Sequence, residues 1–184
     1  TGRGWAAVLF GDAEPSGRLP IMLPAADSPR PEAGDVRYSE GLFTSYRALA
    51  PQAAFPFGHG LSYTRFDWAK PRQPADCSAA ACLRVVITNV GARAGSEVVQ
   101  AYLQFNPRLK GPRLSLRGFR RTRLLQPGEH EEVELAFTAR DMSTYVRSLG
   151  WQQQAWAVVH LGASSGDIRH LMPLRGVAAI SVLS

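Results

Sequence analysis

The sequence predicts a mainly β protein: an immunoglobulin-like or fibronectin-like β-sandwich over residues 82–184, preceded by a segment that cannot stand alone. Three observations predict it. Roughly seven short segments of alternating apolar and polar residues follow one another in about 100 residues, the spacing of such a sandwich. Turn-forming clusters separate them: Asn89-Val90-Gly91, Pro107, Gln126-Pro127-Gly128, and the stretch from Gly162 to Gly166. Residues 1–70 have few periodic segments and many turns, so they read as the last portion of a larger domain, with residues 71–81 as a linker.

Taken in order, residues 4–10 are a short apolar run, the end of a helix stopped by Gly11-Asp12. Pro15-Ser16-Gly17-Arg18-Leu19-Pro20 is a turn entering a brief strand, and residues 24–34 are a proline-rich loop. Lys70-Pro71-Arg72-Gln73-Pro74-Ala75-Asp76 has two prolines, polar neighbours and no periodicity, the marks of a linker. Beyond it, Leu83, Val85 and Ile87 alternate, as do Val99, Ala101, Leu103 and Phe105. Val133, Leu135 and Phe137 alternate with Glu132, Glu134 and Thr138, the pattern of a strand with one buried face. Further strands are expected at 114–125, 155–161 and 177–183. The expected core is Val85, Ile87, Val99, Leu103, Val133, Leu135 and Phe137.

Composition narrows the function classes. With 45% hydrophobic and 20% charged residues in 184, a packed core can form and wholesale disorder is excluded. No apolar run approaches the ~18 residues of a membrane-spanning helix. The chain opens Thr1-Gly2-Arg3-Gly4, without Met or the pattern of a signal peptide, and reads as an excerpt. Residues 1–70 hold seven basic and seven acidic residues, so the net +6 falls entirely on residues 71–184, with fourteen and eight. There, Arg108, Lys110, Arg113, Arg117, Arg120, Arg121 and Arg123 follow one another with no acid between them. A phosphate- or carboxylate-bearing partner is one reading. A solvated strand and loop is the better one, since no nucleic-acid motif accompanies the run.

The candidate chemical motifs are weak. Gly162-Ala163-Ser164-Ser165-Gly166 matches G-x-S-x-G, but no helix follows and Asp167 and His170 are too near in sequence to complete a triad; a hairpin turn is expected. Gly58-His59-Gly60 lacks the third glycine of a dinucleotide fingerprint, Tyr63 standing there. His59, His130, His160 and His170 show no ligand spacing. Cys77 and Cys82 either close a small loop in an oxidising compartment or remain two reduced thiols. Asp35 and Glu40, beside Tyr38, Phe43 and Tyr46, have the composition of a sugar-cleaving carboxylate pair, but Glu40 paired with an arginine such as Arg47 is the better reading. No residue is assigned as catalytic, cofactor-binding or metal-ligating, and no cofactor is expected.

Together these segments resemble the C-terminal part of glycoside hydrolase family 3, the β-glucosidase and β-xylosidase type. Gly11-Asp12 with Pro15-Ser16-Gly17-Arg18-Leu19-Pro20 is similar to its G-D-x-x-P-S-G-R-L-P segment, and Tyr38-Ser39-Glu40-Gly41-Leu42-Phe43 with Tyr46-Arg47 to its Y-x-E-G-I-x-x-G-Y-R motif. The ten residues Phe55-Pro56-Phe57-Gly58-His59-Gly60-Leu61-Ser62-Tyr63-Thr64 are the most specific match. Thr88-Asn89-Val90-Gly91, Gly95, Val98-Val99-Gln100-Ala101-Tyr102, Leu116-Arg117-Gly118-Phe119 and Leu125-Gln126-Pro127-Gly128-Glu129 resemble its fibronectin type III-like domain. The resemblance runs from residue 8 to about 170. Ser45 stands where the family has glycine, and Ala155-Trp156 where it has Gly-Tyr, with Trp156 expected to keep an aromatic in the core.

The resemblance implies that residues 1–70 end an α/β sandwich domain. It also implies that the nucleophilic aspartate lies in an N-terminal barrel and the acid/base glutamate in the upstream part of the α/β domain, so neither is matched by a residue here. Glu40 is then architectural. Gly58 and Gly60 let the backbone turn closely against its neighbours, with Tyr63 and Phe66 packing behind. The implied function is that of a β-glycosidase fragment, retaining in the intact enzyme, whose partners are β-linked saccharides and the missing barrel and α/β residues. An extracellular or secretory compartment is the expectation. The rival reading is a non-catalytic module adhering to polysaccharide or protein, which would expose aromatics such as Tyr145, Trp151 and Trp156, although Trp156 is in phase with Val158 and expected inside.

Overall fold

The computed structural model describes residues 2–25, 34, 40–48, 52–109 and 111–176. The expected strand at 177–183 lies outside them, as do Asp35 and Tyr38. Helix α1 (Gly2–Leu9) comes first and buries none of its residues; β1 (Leu23–Pro24) and β2 (Ala53–Phe55) form a small antiparallel pair. The remaining strands are β3 (Phe66–Trp68), β4 (Ala81–Asn89), β5 (Val98–Gln104), β6 (Ser115–Arg121), β7 (His130–Phe137), β8 (Ser143–Val146), β9 (Gly150–Gln153), β10 (Trp156–Ser164) and β11 (Asp167–Arg175).

They build a sandwich of a three-stranded sheet, β3-β4-β7, and a four-stranded sheet, β11-β10-β5-β6, all pairs antiparallel. The alternation read along the chain is the inward phase of these strands. Leu83 pairs with Leu135 and Val85 with Val133 across β4 and β7, and Leu103 pairs with Val159 and Ala101 with Leu161 across β5 and β10. All seven expected core residues are buried, joined by Leu83, Leu125, Met142, Ala157, Val159, Leu161 and Leu174. Each Val, Leu, Ile, Met or Phe side chain among them contributes ~1.5–3 kcal/mol by leaving water. Strand β3 lies on the N-terminal side of the proline-rich stretch 70–76 and pairs with β4, Trp68 opposite Ile87.

Three expectations need correction. Trp156 is 49% exposed, because its phase with Val158 is the outer one; the inner one is Ala157, Val159 and Leu161, equally apolar. The turn expected from Gly162 is later: Gly162 sits inside β10, where the pairing to β11 shifts, and the chain reverses at Ser165-Gly166. The expected strands skip from 161 to 177, whereas β11 fills that interval; its Pro173 is tolerated because β11 is an edge strand.

Strands β8 and β9 pair only with each other, Tyr145 opposite Trp151, as a hairpin outside both sheets. At the opposite edge, β6 exposes Arg120 and Arg121 and carries an irregular register against β5, devices that discourage edge-to-edge pairing. Cys77 and Cys82 form a disulfide, Cα atoms 5.6 Å apart, tying the 76–81 loop to the buried head of β4.

Candidate functional site at the seam between the two parts

Strand β5 has five consecutive buried residues where one-faced alternation would give every second one. Its outward Gln100 and Tyr102 are 3% and 0% exposed, so something covers the outer face of the four-stranded sheet. The cover is the N-terminal part. Phe57 and Tyr46 stack with ring centroids 4.4 Å apart, and both meet Tyr102 edge-on, at 6.5 and 5.7 Å. The Tyr46 hydroxyl accepts from the Leu116 N–H of β6 at 3.1 Å.

Backbone geometry makes this approach possible. Gly58 has φ +81°, and a Cβ there would collide with the Gln100 amide, so only glycine fits. The freed space is used for hydrogen bonds. Gln100 Nε2 donates to the Gly58 carbonyl at 3.0 Å and to Ala163 at 2.5 Å, while its Oε1 accepts from the Tyr102 hydroxyl at 2.6 Å. Burial pushes the Tyr102 phenol far above its ordinary value, which keeps it a neutral donor. The Ser165 N–H donates to Phe57 O at 2.9 Å.

A second set of bonds is ionic. Arg18, in the P-S-G-R-L-P segment, places Nη2 2.7 Å from Glu97 Oε1, with the two side chains only 14% and 8% exposed. Leu19 N–H donates to His59 O and Gly58 N–H to Leu19 O, both at 2.8 Å, so the segment carrying Arg18 is laced to the one carrying Gly58. Glu14 accepts from the Ser96 N–H at 2.8 Å and from the Ser62 hydroxyl. Tyr63 donates to Val8 O, and Arg93 covers the Tyr63 ring at 5.2 Å. Asn89 closes the seam: its Oδ1 accepts from Thr64 Oγ1 (2.6 Å) and Gly91 N (3.1 Å), and its Nδ2 donates to Leu125 O (2.8 Å) and Arg93 O (2.7 Å). Each hydrogen-bonding site of this buried amide is used.

Two clefts open along the seam. One, of about 670 Å³, is lined by Arg18, Ser62, Asp67, Glu97, Asp167 and Arg169, among others. Its carboxylates are largely engaged: Glu97 with Arg18, and Asp167 with Arg169 through two bonds of 2.6 and 2.7 Å, a bidentate pair that raises the Arg169 pKa. The other, of about 640 Å³, lies between Tyr46, Arg113, His160 and Leu171. Burial, then the nearby Arg113, lowers the His160 pKa; its Nε2 is 2.7 Å from Gln104 Oε1.

Of the residues weighed in the sequence, Ser164, Asp167, His160 and His170 line the two clefts without forming a catalytic set, and Glu40 lines neither. Glu40 is exposed and its ion pair to Arg47 is not formed: Arg47 donates instead to Thr44 Oγ1 at 3.1 Å. Ser164 ends β10 and accepts from Gly166 N at 3.3 Å, closing the hairpin turn expected there. Asp167 faces Arg169, and His170 Nε2 lies 3.1 Å from Trp68 O, so no triad forms. Among the described residues, no group of three or more His, Cys, Asp or Glu could hold a metal ion. The arginine run divides: Arg123 pairs with Glu129, Arg117 lies half-buried over Phe105 with its pKa lowered by burial, and Arg120 and Arg121 face water. Sequence reasoning gave no contact to Gln100, Tyr102, Arg18, Glu97 or Glu14. The local signals were a Gln and a Tyr in the outward phase of an otherwise apolar strand, and the place of Arg18, Gln100 and Tyr102 in segments that carry the resemblance.

Known proteins place the seam in a family. Residues 1–63 match the model of the glycosyl hydrolase family 3 C-terminal domain and residues 97–165 that of the fibronectin type III-like domain. A β-glucosidase of Rhizobium radiobacter is 40% identical over 78% of this chain and 20% of its own length; thermostable β-glucosidase B of Acetivibrio thermocellus is 33% identical over 91% and 24%. Among solved structures, the β-glucosidase DesR of Streptomyces venezuelae, in complex with D-glucose, superposes with a TM-score of 0.83 at 32% identity over 94% of this chain and 24% of its own. β-Glucosidase 3B of Thermotoga neapolitana, in complex with glucose, gives 0.79 at 33% over 94% and 26%. The chain therefore spans about a fifth to a quarter of the length of these relatives. With both of its parts matched and the joint between them built from the same segments that carry the resemblance, this chain belongs to glycoside hydrolase family 3, as its C-terminal domain end and its fibronectin type III-like domain.

Proposed function

We propose that the chain is the C-terminal portion of a retaining β-glycosidase that hydrolyses O-glycosyl bonds of β-glucosides or β-xylosides, and that this portion supports and docks domains. The observation that carries the reading is the coincidence of motif and contact: P-S-G-R-L-P, F-P-F-G-H-G-L-S-Y-T and V-V-Q-A-Y meet one another through Arg18–Glu97, Gly58–Gln100 and Phe57–Tyr102. A retaining mechanism needs a nucleophile and an acid/base with carboxyl groups ~5–5.5 Å apart. On this reading both are supplied by the remainder of the enzyme. The 184-residue chain is then inactive on an aryl β-glucoside, whereas the full-length enzyme turns it over. Turnover by the chain alone would overthrow the reading.

For the compartment, the reading is extracellular or secretory, and the Cys77–Cys82 pairing supports it. Mass spectrometry without reductant on protein from its native source is expected to show no alkylatable thiol; two modified cysteines would place it in a reducing compartment.

A further inference from the structure

The outer face of the four-stranded sheet is only partly covered. Tyr102 of β5, His160 of β10 and Leu171 of β11 pair in one row across it. Along that row exposure rises from 0% to 7% to 63%. The N-terminal part thus shields β5 and reaches β10, but leaves β11 bare. The cleft of about 640 Å³ opens where this cover ends, between Tyr46 and Leu171. Its wall offers donors, and among the described residues no Asp or Glu lines it. Arg169 is occupied by Asp167 through two bonds, and His170 lies against Trp68 O. His160 faces Gln104, and its lowered pKa keeps it neutral at pH 7. Arg113 is the charge left over: it is exposed, with no ion pair or hydrogen bond among the described residues. Two more donors stand beside it. The Tyr46 hydroxyl accepts from Leu116 N–H, while its own proton has no acceptor among the described residues. Arg47, between the wall residues Tyr46 and Ala48, buries its Nε without an acceptor. Buried donors left unpaired are costly, and an unopposed guanidinium favours a carboxylate.

We propose that this cleft continues the docking face and receives an Asp or Glu side chain from the part of the enzyme that precedes Thr1, its carboxylate on Arg113 and its neighbours over Leu171. The inference deepens the reading above and rests on it for the existence of that part. Three observations select this occupant. The wall supplies cation and donors but no acid, so the complement is a carboxylate. The cleft is continuous with the contact that Tyr46 already makes on Tyr102 and Leu116, so the domain to which Tyr46 belongs is the one that reaches it. The chain spans about a fifth to a quarter of the length of its relatives, so most of what would surround that domain lies outside it.

The test compares Arg113 in this chain with Arg113 in the full-length enzyme, neither carrying a substitution. Phenylglyoxal, which reacts with accessible guanidinium groups, is followed residue by residue with peptide mass spectrometry. In buffer free of phosphate and organic acids, Arg113 should react roughly tenfold or more slowly in the full-length enzyme, because reaction there requires the contact to open. Equal rates overturn the clasp. So does protection that appears only when phosphate is added, which would assign the cleft to a soluble anion. A second measurement finds the partner. Full-length enzyme carrying Arg113→Lys is treated with a carbodiimide, which joins an amine to a carboxylate in contact with it. The expected product links position 113 to an Asp or Glu upstream of Thr1. A link to a carboxylate within residues 1–184 overturns the proposal, as does the absence of any link. Arg113→Lys should turn over an aryl β-glucoside at the parent rate, which shows that the variant is folded. If the full-length parent turns over nothing, the glycosidase reading fails; if it does but Arg113 reacts equally in both proteins, the clasp fails alone.

Discussion

The sandwich and the part before it are stabilised in different ways. In the sandwich, Leu83, Ile87, Val99, Leu103, Val133 and Phe137 are 0–1% exposed and bury one another across two sheets. In the N-terminal part, α1 buries nothing, and Trp5, Leu9 and Phe10 are 66%, 72% and 83% exposed. Its contacts with the sandwich include Arg18 on Glu97, just before β5, and Tyr46, Phe57 and Gly58 on β5 and β6. The sandwich is therefore expected to fold without the N-terminal part, and the N-terminal part not to fold without the sandwich. The comparison also explains why the outer face of β5 is wet-looking in sequence and dry in the fold: it is a docking face.

The largest expected effect breaks the self-sufficient side. Phe137→Ala should cost ~3–5 kcal/mol, the range for a buried aromatic cut to alanine. It should lower the melting temperature of the whole chain by roughly 10–20 °C, followed by circular dichroism, because the tail loses its support as well. A drop in tail order with an unchanged sandwich transition would contradict the dependence argued here. Next, Arg18→Ala leaves the Glu97 carboxylate buried, hydrogen-bonded by the Val98 N–H (2.8 Å) and with Arg169 as its remaining charge neighbour. Removing one partner of a buried pair costs ~3–5 kcal/mol; with Arg18 14% exposed, the lower end is expected. Limited proteolysis should then cut within residues 2–60 well before the sandwich. If cleavage begins instead in the sandwich strands, the seam is not the weaker unit.

How much of this was legible follows from the range of the interactions. The inward phases of β4, β5 and β7 were readable because period-two alternation is local and one face of each strand is apolar. Burial of Gln100 and Tyr102 was not, since their cover comes from residues 46, 57 and 58, more than 40 positions away. Trp156 was misplaced for a different reason: both phases of β10 are apolar, so alternation there selects no face. Glu40 stands in a motif, yet its side chain is exposed, so the motif alone did not tell where that carboxylate points.

A smaller effect separates the two parts by pH. His160, on the docking face of β10, has its pKa lowered by burial, so the unfolded chain binds more protons than the folded one. Stability then rises with pH across the window between the folded and unfolded values, and falls as pH drops below about 6.5. Denaturant midpoints measured at pH 7.5 and 5.5 should differ in that sense, and His160→Gln should reduce the difference while leaving the pH 7.5 midpoint nearly unchanged. An undiminished pH slope in the variant would assign the effect to other groups.

The smallest expected effect concerns Ser45, which sits where the family has glycine and adopts φ +54°. That left-handed conformation costs a residue with a Cβ ~1–2 kcal/mol. Glycine removes the strain but adds ~0.5–1 kcal/mol of unfolded-state entropy to be lost on folding. The difference favours Ser45→Gly by roughly 0.5 kcal/mol, on the tail side of the comparison, where Tyr46 depends on this turn to reach Phe57 and Tyr102. Ser45→Ala keeps the Cβ and loses only the hydroxyl, so it isolates the backbone term. Protease protection of residues 2–60 should therefore rise in Ser45→Gly and stay level in Ser45→Ala, while the sandwich transition is the same in both. If glycine and alanine behave alike, the conformation of residue 45 is not what limits the tail, and the strain is being relieved by its neighbours.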